Sequence, residues 1–243
     1  MERKKAAETL MRFSCGADAQ CAEVKRINVS AAFFLSIEFQ ETGYLAYRTY
    51  KTAFGDATSP NVPGTVPVIR LREFLADTQQ LGQGVVVNVG DWQRQLDENK
   101  SAYMLEFVQR PRFLEEYPRS MGLDDFLDKL IRNSGAILNG EERERISALI
   151  RLGPYSDWLR ADLLKVVAES QSLRRAELNR AFVLMEYFGY LRRNPDDAPE
   201  PKLNYAGWRF WLDKLEEHNG NYVEAEMVKA FITSDEYRRR FGQ

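Results

Sequence analysis

The sequence predicts an all-α protein, assembled from degenerate helical repeats and packed as an irregular helical bundle with little or no β structure. Three observations lead there. Apolar residues recur at helical rather than alternating spacing along most of the 243 residues. Glycine and proline gather into a few separate stretches that read as connections. The only run with β character, Val85 to Val87, lies among Gly82, Gly84 and Gly90, so it reads as extended loop or at most one short edge strand.

The elements follow in order. Over 28–39, Val29, Ala32 and Phe33 crowd one broad face, Ser30 can cap, and Gly43 breaks the run. A helix over 44–54 should end at Gly55 in a left-handed C-cap. Pro60, Pro63, Gly64 and Pro67 make 56–67 a loop. Leu71, Phe74, Leu75 and Thr78 return to helical spacing. Asp91 is placed to cap a helix over 92–110, which Pro111 should end. Amphipathic helices follow over 123–131, 141–152 and 157–168. In the last of these, Trp158, Leu159, Leu163 and Val166 form the apolar side. A long apolar helix is expected over 176–192. Pro195, Pro199 and Pro201 then exclude regular structure over 193–202. Helices over 205–217, 222–232 and 235–241 complete the chain, with His218, Asn219 and Gly220 closing the first of them.

A short pattern repeats. Ala32-Phe-Phe-Leu-Ser-Ile-Glu-Phe39 aligns without a gap on Ala230-Phe-Ile-Thr-Ser-Asp-Glu-Tyr237, with four of eight positions identical. A weaker copy spans Phe107 to Phe113, and a fourth, one residue short, spans Ala181 to Tyr187. The serine can break one helix and cap the next, the glutamate then sits at the positive end of the new helix, and the aromatics pack inward.

Composition narrows the function. The chain is 44% hydrophobic and 29% charged, as expected of a folded globular protein. The 34 basic and 36 acidic residues give a net charge of −2, so no bulk basic charge favours nucleic acid. One histidine, His218, and two cysteines, Cys15 and Cys21, exclude the usual zinc sites and most histidine-dependent triads. No run of about 18 apolar residues suggests a membrane span. No apolar stretch of the signal-peptide kind follows the charged N-terminus. His218, after Glu216 and Glu217, suits a helix end.

Asn194, Asp196 and Asp197 supply oxygens of the kind that calcium takes, but the EF-hand alternation breaks at Ala198. An Asx-type turn capping the next helix is the alternative. Trp92, Trp158, Trp208 and Trp211 could line a sugar or peptide groove, or belong to the core. Trp208, Trp211 and Tyr205 are the binding-surface candidates, and no catalytic or cofactor-binding residue stands out.

Tyr190-Leu-Arg-Arg-Asn-Pro-Asp-Asp197, Gly207-Trp-Arg-Phe-Trp211 and the Ser-x-Glu-aromatic end resemble the bacterial domain-of-unknown-function family numbered 4214, which is similar to the phycobilisome linker domain. The resemblance covers 181–243 and 29–55. The region from about 117 to 173 shares only helical character. The second unit lacks the Arg-x-Pro-Asp loop, and the first is cut short. The resemblance implies two sets of repeats, over 1–116 and 117–243, forming one continuous body. It implies a non-enzymatic structural or interaction module, exported or attached to a bacterial surface, with a protein partner or copies of itself. In that setting Cys15 and Cys21 would form a disulfide; in the cytoplasm they would be free thiols. The loops 56–67 and 193–202 would present the binding surface. A carbohydrate-binding or carbohydrate-active protein, and a cytoplasmic linker-type scaffold, are the alternatives.

Overall fold

A computed structural model describes residues 36–241, together with Cys21 and Lys25. The described residues are helical, with one isolated bridge, Ala57 to Val66, and no strand. In chain order the helices are α1 (Ile37–Glu41), α2 (Gly43–Phe54), α3 (Leu71–Leu81), α4 (Trp92–Phe107), α5 (Pro111–Glu116), α6 (Leu123–Ser134), α7 (Gly140–Leu152), α8 (Asp157–Ala168), α9 (Gln171–Ala176) and α10 (Leu178–Glu186). A π-helical turn (Tyr187–Leu191) then leads to α11 (Ala206–Glu217), α12 (Met227–Thr233) and α13 (Asp235–Phe241). Residues 85–87 are loop and turn.

The repeated pattern has a physical basis. Three junctions share one backbone form. Ser36 (φ −66°, ψ 152°), Arg110 (φ −61°, ψ 141°) and Ser234 (φ −62°, ψ 149°) each precede a short helix in extended conformation. Ser36 Oγ accepts from Phe39 N at 3.2 Å and Ser234 Oγ from Tyr237 N at 3.1 Å. Arg110 has no such side-chain bond; there, Pro111 at the first helical position spares an orphan N–H instead. Pro111 therefore starts a helix, and α4 ends earlier, at Phe107. The fourth copy has no capped break: it lies in α10 and ends on Tyr187, where the chain passes directly into the π-turn.

Other boundaries moved for local reasons. Gly55 stops α2 at φ +70° but ψ −143°, outside the left-handed helical region. Asp91 makes no capping bond; its carboxylate takes Arg94 at 2.8 Å. Asn139 and Glu142 form a reciprocal capping box on α7. The expected helix over 176–192 is split into the end of α9, then α10, then the π-turn.

One hydrophobic core extends from Phe39 to Ile232. It crosses the expected boundary at residue 117. Tyr117 is buried there, stacked on Phe113 at 4.5 Å, with its hydroxyl donating to Ala53 O at 2.7 Å and Arg160 bonded to its carbonyl. Gly207 shows why the Gly-x-x-x-Trp helix begins as it does. A Cβ there would lie 2.7 Å from the Tyr187 hydroxyl, so α11 can approach the π-turn this closely only without a side chain.

Part of the buried charge is paired across elements. Lys100 of α4 contacts Glu41 at 2.6 Å and Glu169 at 2.9 Å, and Arg174 reaches Glu41 at 2.6 Å. Burial works against ionisation of Glu41, but Lys100 and Arg174 outweigh it and hold its carboxyl below the ordinary range.

Candidate functional site

α4 turns Leu96, Lys100, Tyr103, Met104 and Phe107 into the core. Its opposite face carries Arg94, Asp97, Glu98, Ser101, Ala102, Leu105 and Glu106, which with Gln109 line an open groove of about 850 Å³. α8 forms the flank. Lys165 Nζ lies 3.4 Å from Ser101 Oγ, and Lys100 Nζ lies 2.9 Å from Glu169 Oε1 just beyond α8. The two helices therefore run antiparallel, which places Trp158, in the first turn of α8, beside the Leu105 end of the groove.

Trp158 is 64% exposed, so it does not belong to the apolar side of α8. That side is Leu159, Leu163, Leu164, Val166 and Val167. Trp158, Asp162 and Lys165 share the opposite face at helical spacing. The groove is acidic. Arg94 is shared between Asp91 and Glu98, at 2.8 and 3.2 Å, and Glu106 is held by Arg110 at 2.7 Å. The Asp97 carboxylate is exposed and makes no ion pair or hydrogen bond among the described residues. Trp92 lines a smaller cavity of about 280 Å³ with Ile37, Thr78, Val86 and Leu96.

The expected binding-surface residues lie elsewhere. Trp208 is fully buried and Tyr205 nearly so. Arg180 and Arg209 sit over the Trp208 ring at 5.2 and 5.5 Å, and Tyr205 packs edge-on against it at 6.0 Å. Both are core, because α11 turns that face onto α10. Trp211 is half-buried between Phe210 and Phe231.

The first proline-rich segment, 56–67, is tied to the residues just after the second one. Asn204 Nδ2 donates to Pro60 O at 3.0 Å and Tyr205 N to Ser59 Oγ at 3.1 Å. The oxygens offered for calcium are engaged by protein. Arg70 Nη1 reaches Asp196 at 2.7 and 2.9 Å, Arg70 Nη2 reaches Asp197 at 3.3 Å, and Asn194 Oδ1 accepts from Leu71 N at 2.8 Å. Asn194 also donates from N and Nδ2 to Asp197 Oδ2, a bond back along the chain rather than the expected Asx turn; that turn occurs at Asn204, whose Oδ1 accepts from Ala206 N at 3.0 Å. The helix that the Asn194 side chain caps is α3, not the one that follows. Among the described residues no group of three or more His, Cys, Asp or Glu side chains is placed to hold a metal. Millimolar calcium should leave the melting temperature unchanged, whereas Arg70→Ala should cost about 1 kcal/mol or more by freeing two carboxylates and loosening the loop. Differential scanning calorimetry with calcium and with chelator checks both.

His218 Nδ1 lies 3.8 Å from Glu224, at the end of α11. The expected Cys15–Cys21 disulfide lies outside the described residues, since Cys15 is not among them. Compared with family models, curated proteins and solved structures, the chain matches none.

Proposed function

We propose that this chain is a non-enzymatic interaction module, of the kind found in exported or surface-associated bacterial assemblies, and that it docks a protein segment in the groove between α4 and α8. The observation that carries the reading is Trp158, a large aromatic exposed at the end of a groove with the apolar floor Ala102 and Leu105. Exposed aromatics beside a concave apolar surface are typical anchors of protein recognition. The sequence resemblance to a helical family without established catalysis supports the same reading. So does the pairing of charge across elements. The Arg70, Lys100 and Arg110 clusters saturate their carboxylates and join elements distant in sequence, as a scaffold requires.

A second reading rests on the same residue. A tryptophan face beside carboxylates can stack on a sugar ring, so a carbohydrate-binding protein is the alternative.

Panning a random peptide library against the protein, with Trp158→Ala as counter-selection, separates the two. The docking reading expects an enriched peptide motif whose binding drops about tenfold or more in Trp158→Ala. A glycan array that lights up only with Trp158 present, with no peptide enriched, would replace docking by sugar binding.

A further inference from the structure

Resting on the docking reading, we infer that the groove takes a cationic amphipathic helix of a partner protein. Three features of the site converge on that chemistry.

The first is shape. The lining runs along one face of α4 from Arg94 to Leu105 and on to Gln109, a length of about 22 Å at the rise of an α-helix. Arg94, Asp97, Ser101, Leu105 and Gln109 recur at three- and four-residue spacing. A ridge of that spacing, with Trp158 as a wall, is what a second helix meets when ridges pack into grooves.

The second is charge. The groove carries three carboxylates, Asp97, Glu98 and Glu106, against one guanidinium, Arg94. Glu106 spends its charge on Arg110, and Glu98 shares Arg94 with Asp91. Asp97 has no cation among the described residues, so an incoming lysine or arginine would complete its pairing.

The third is the Trp158 ring. Trp208 carries Arg180 and Arg209 over its ring, and Trp211 carries Lys214 at 5.9 Å. None of the described cations sits over Trp158. An aromatic face exposed to this degree and free of a partner attracts an ammonium or guanidinium through its quadrupole. A helix with an apolar stripe toward Leu105 and Ala102, and lysines or arginines on its edges, satisfies all three features together.

The test uses two designed peptides of about four helical turns with the same leucine stripe. One has lysine at every flanking position and the other has glutamate. Binding to the full chain is followed by fluorescence anisotropy at low and at physiological salt. The lysine peptide should bind at least about tenfold more tightly than the glutamate peptide, and more weakly as salt rises. Trp158→Ala and the double reversal Asp97→Lys with Glu98→Lys should each weaken it by about tenfold. All three sites are exposed, and unchanged melting temperatures will show that the variants fold. Equal, Trp158-dependent binding of both peptides would overturn the cationic partner and leave docking intact. Binding of the lysine peptide that ignores all three substitutions would be nonspecific attraction, and would also overturn it. If neither peptide binds and panning enriches nothing, docking itself fails.

Discussion

Glu186→Met should raise the stability of the protein at pH 8 by about 2 kcal/mol. Glu186 ends α10, a helix whose residues from Ala181 onward are all buried. It has no exposed surface, and neither of its carboxyl oxygens has a hydrogen-bond partner. Burial alone pushes its carboxyl well above the usual carboxylate range, and no neighbouring cation opposes the shift. The sign of the pH effect follows. The folded state keeps the proton at pH values where the unfolded chain has lost it. The contribution of Glu186 is therefore fully present below the ordinary carboxyl range and is lost as pH rises toward its folded value. Methionine removes both the penalty and the slope. Glu186→Gln should flatten the slope while leaving a polar group buried. Urea unfolding of the three proteins between pH 5 and pH 9 reads this directly. Parallel curves for all three would show that Glu186 does not titrate on unfolding. Glu41 acts in the opposite direction. Its depressed carboxyl gives stability above the ordinary range that is lost as pH falls through the folded value.

Asp77→Ala should destabilise the protein by about 3 kcal/mol or more. Asp77 is 3% exposed. Its carboxylate accepts both arms of the Arg110 guanidinium, at 2.8 and 2.9 Å, and the Tyr103 hydroxyl at 3.1 Å. Arg110 Nη1 also donates to Tyr50 Oη at 3.0 Å. Removing the carboxylate strands one guanidinium and one buried hydroxyl among aromatic rings, at the contact of α2, α3 and α4. Arg110 would keep the Tyr50 hydroxyl and, as its only carboxylate, Glu106, which is half exposed. Asp77→Asn keeps an acceptor oxygen and should cost less than the alanine variant. Equal loss in the two would place the effect in packing rather than in the charge pair. Thermal melts of both variants separate these outcomes.

Much of the helix content was legible because its signals are local. Helix α8 begins at Asp157 and ends at Ala168 as its spacing predicts, with Ser156 as cap. The repeat around Phe231 and Ser234 marks a real backbone junction, since a serine that caps a helix and two inward aromatics need only a few neighbouring residues. Pro111 misled for the same local reason. Proline ends one helix and suits the first position of another, and only the chain direction after it tells which. The π-turn after Glu186 left no signal, because its residues are as apolar as those of the helix before it.

The site was less legible. Trp158 reads as core when its neighbours Leu159 and Leu163 are counted, yet the residues that share its face, Asp162 and Lys165, are polar and only half-buried. Trp208 and Tyr205 read as surface candidates because a tryptophan-rich helix carries no mark of what packs on it. Arg180 and Arg209, which cover the Trp208 ring, come from α10 and α11, and no local spacing links the two.

Helicity, the places of the connections and the capped break that recurs between helices are all written in local order along the chain, because propensity, capping and turn chemistry act over one or two turns. Tertiary structure decided which faces are inside and which charges pair. Asn194 caps a helix that begins 123 residues earlier, and Lys100 gathers carboxylates from Glu41 and Glu169. Such pairs form only once burial makes an unpaired charge or an orphan N–H costly, and burial is a property of the assembled core.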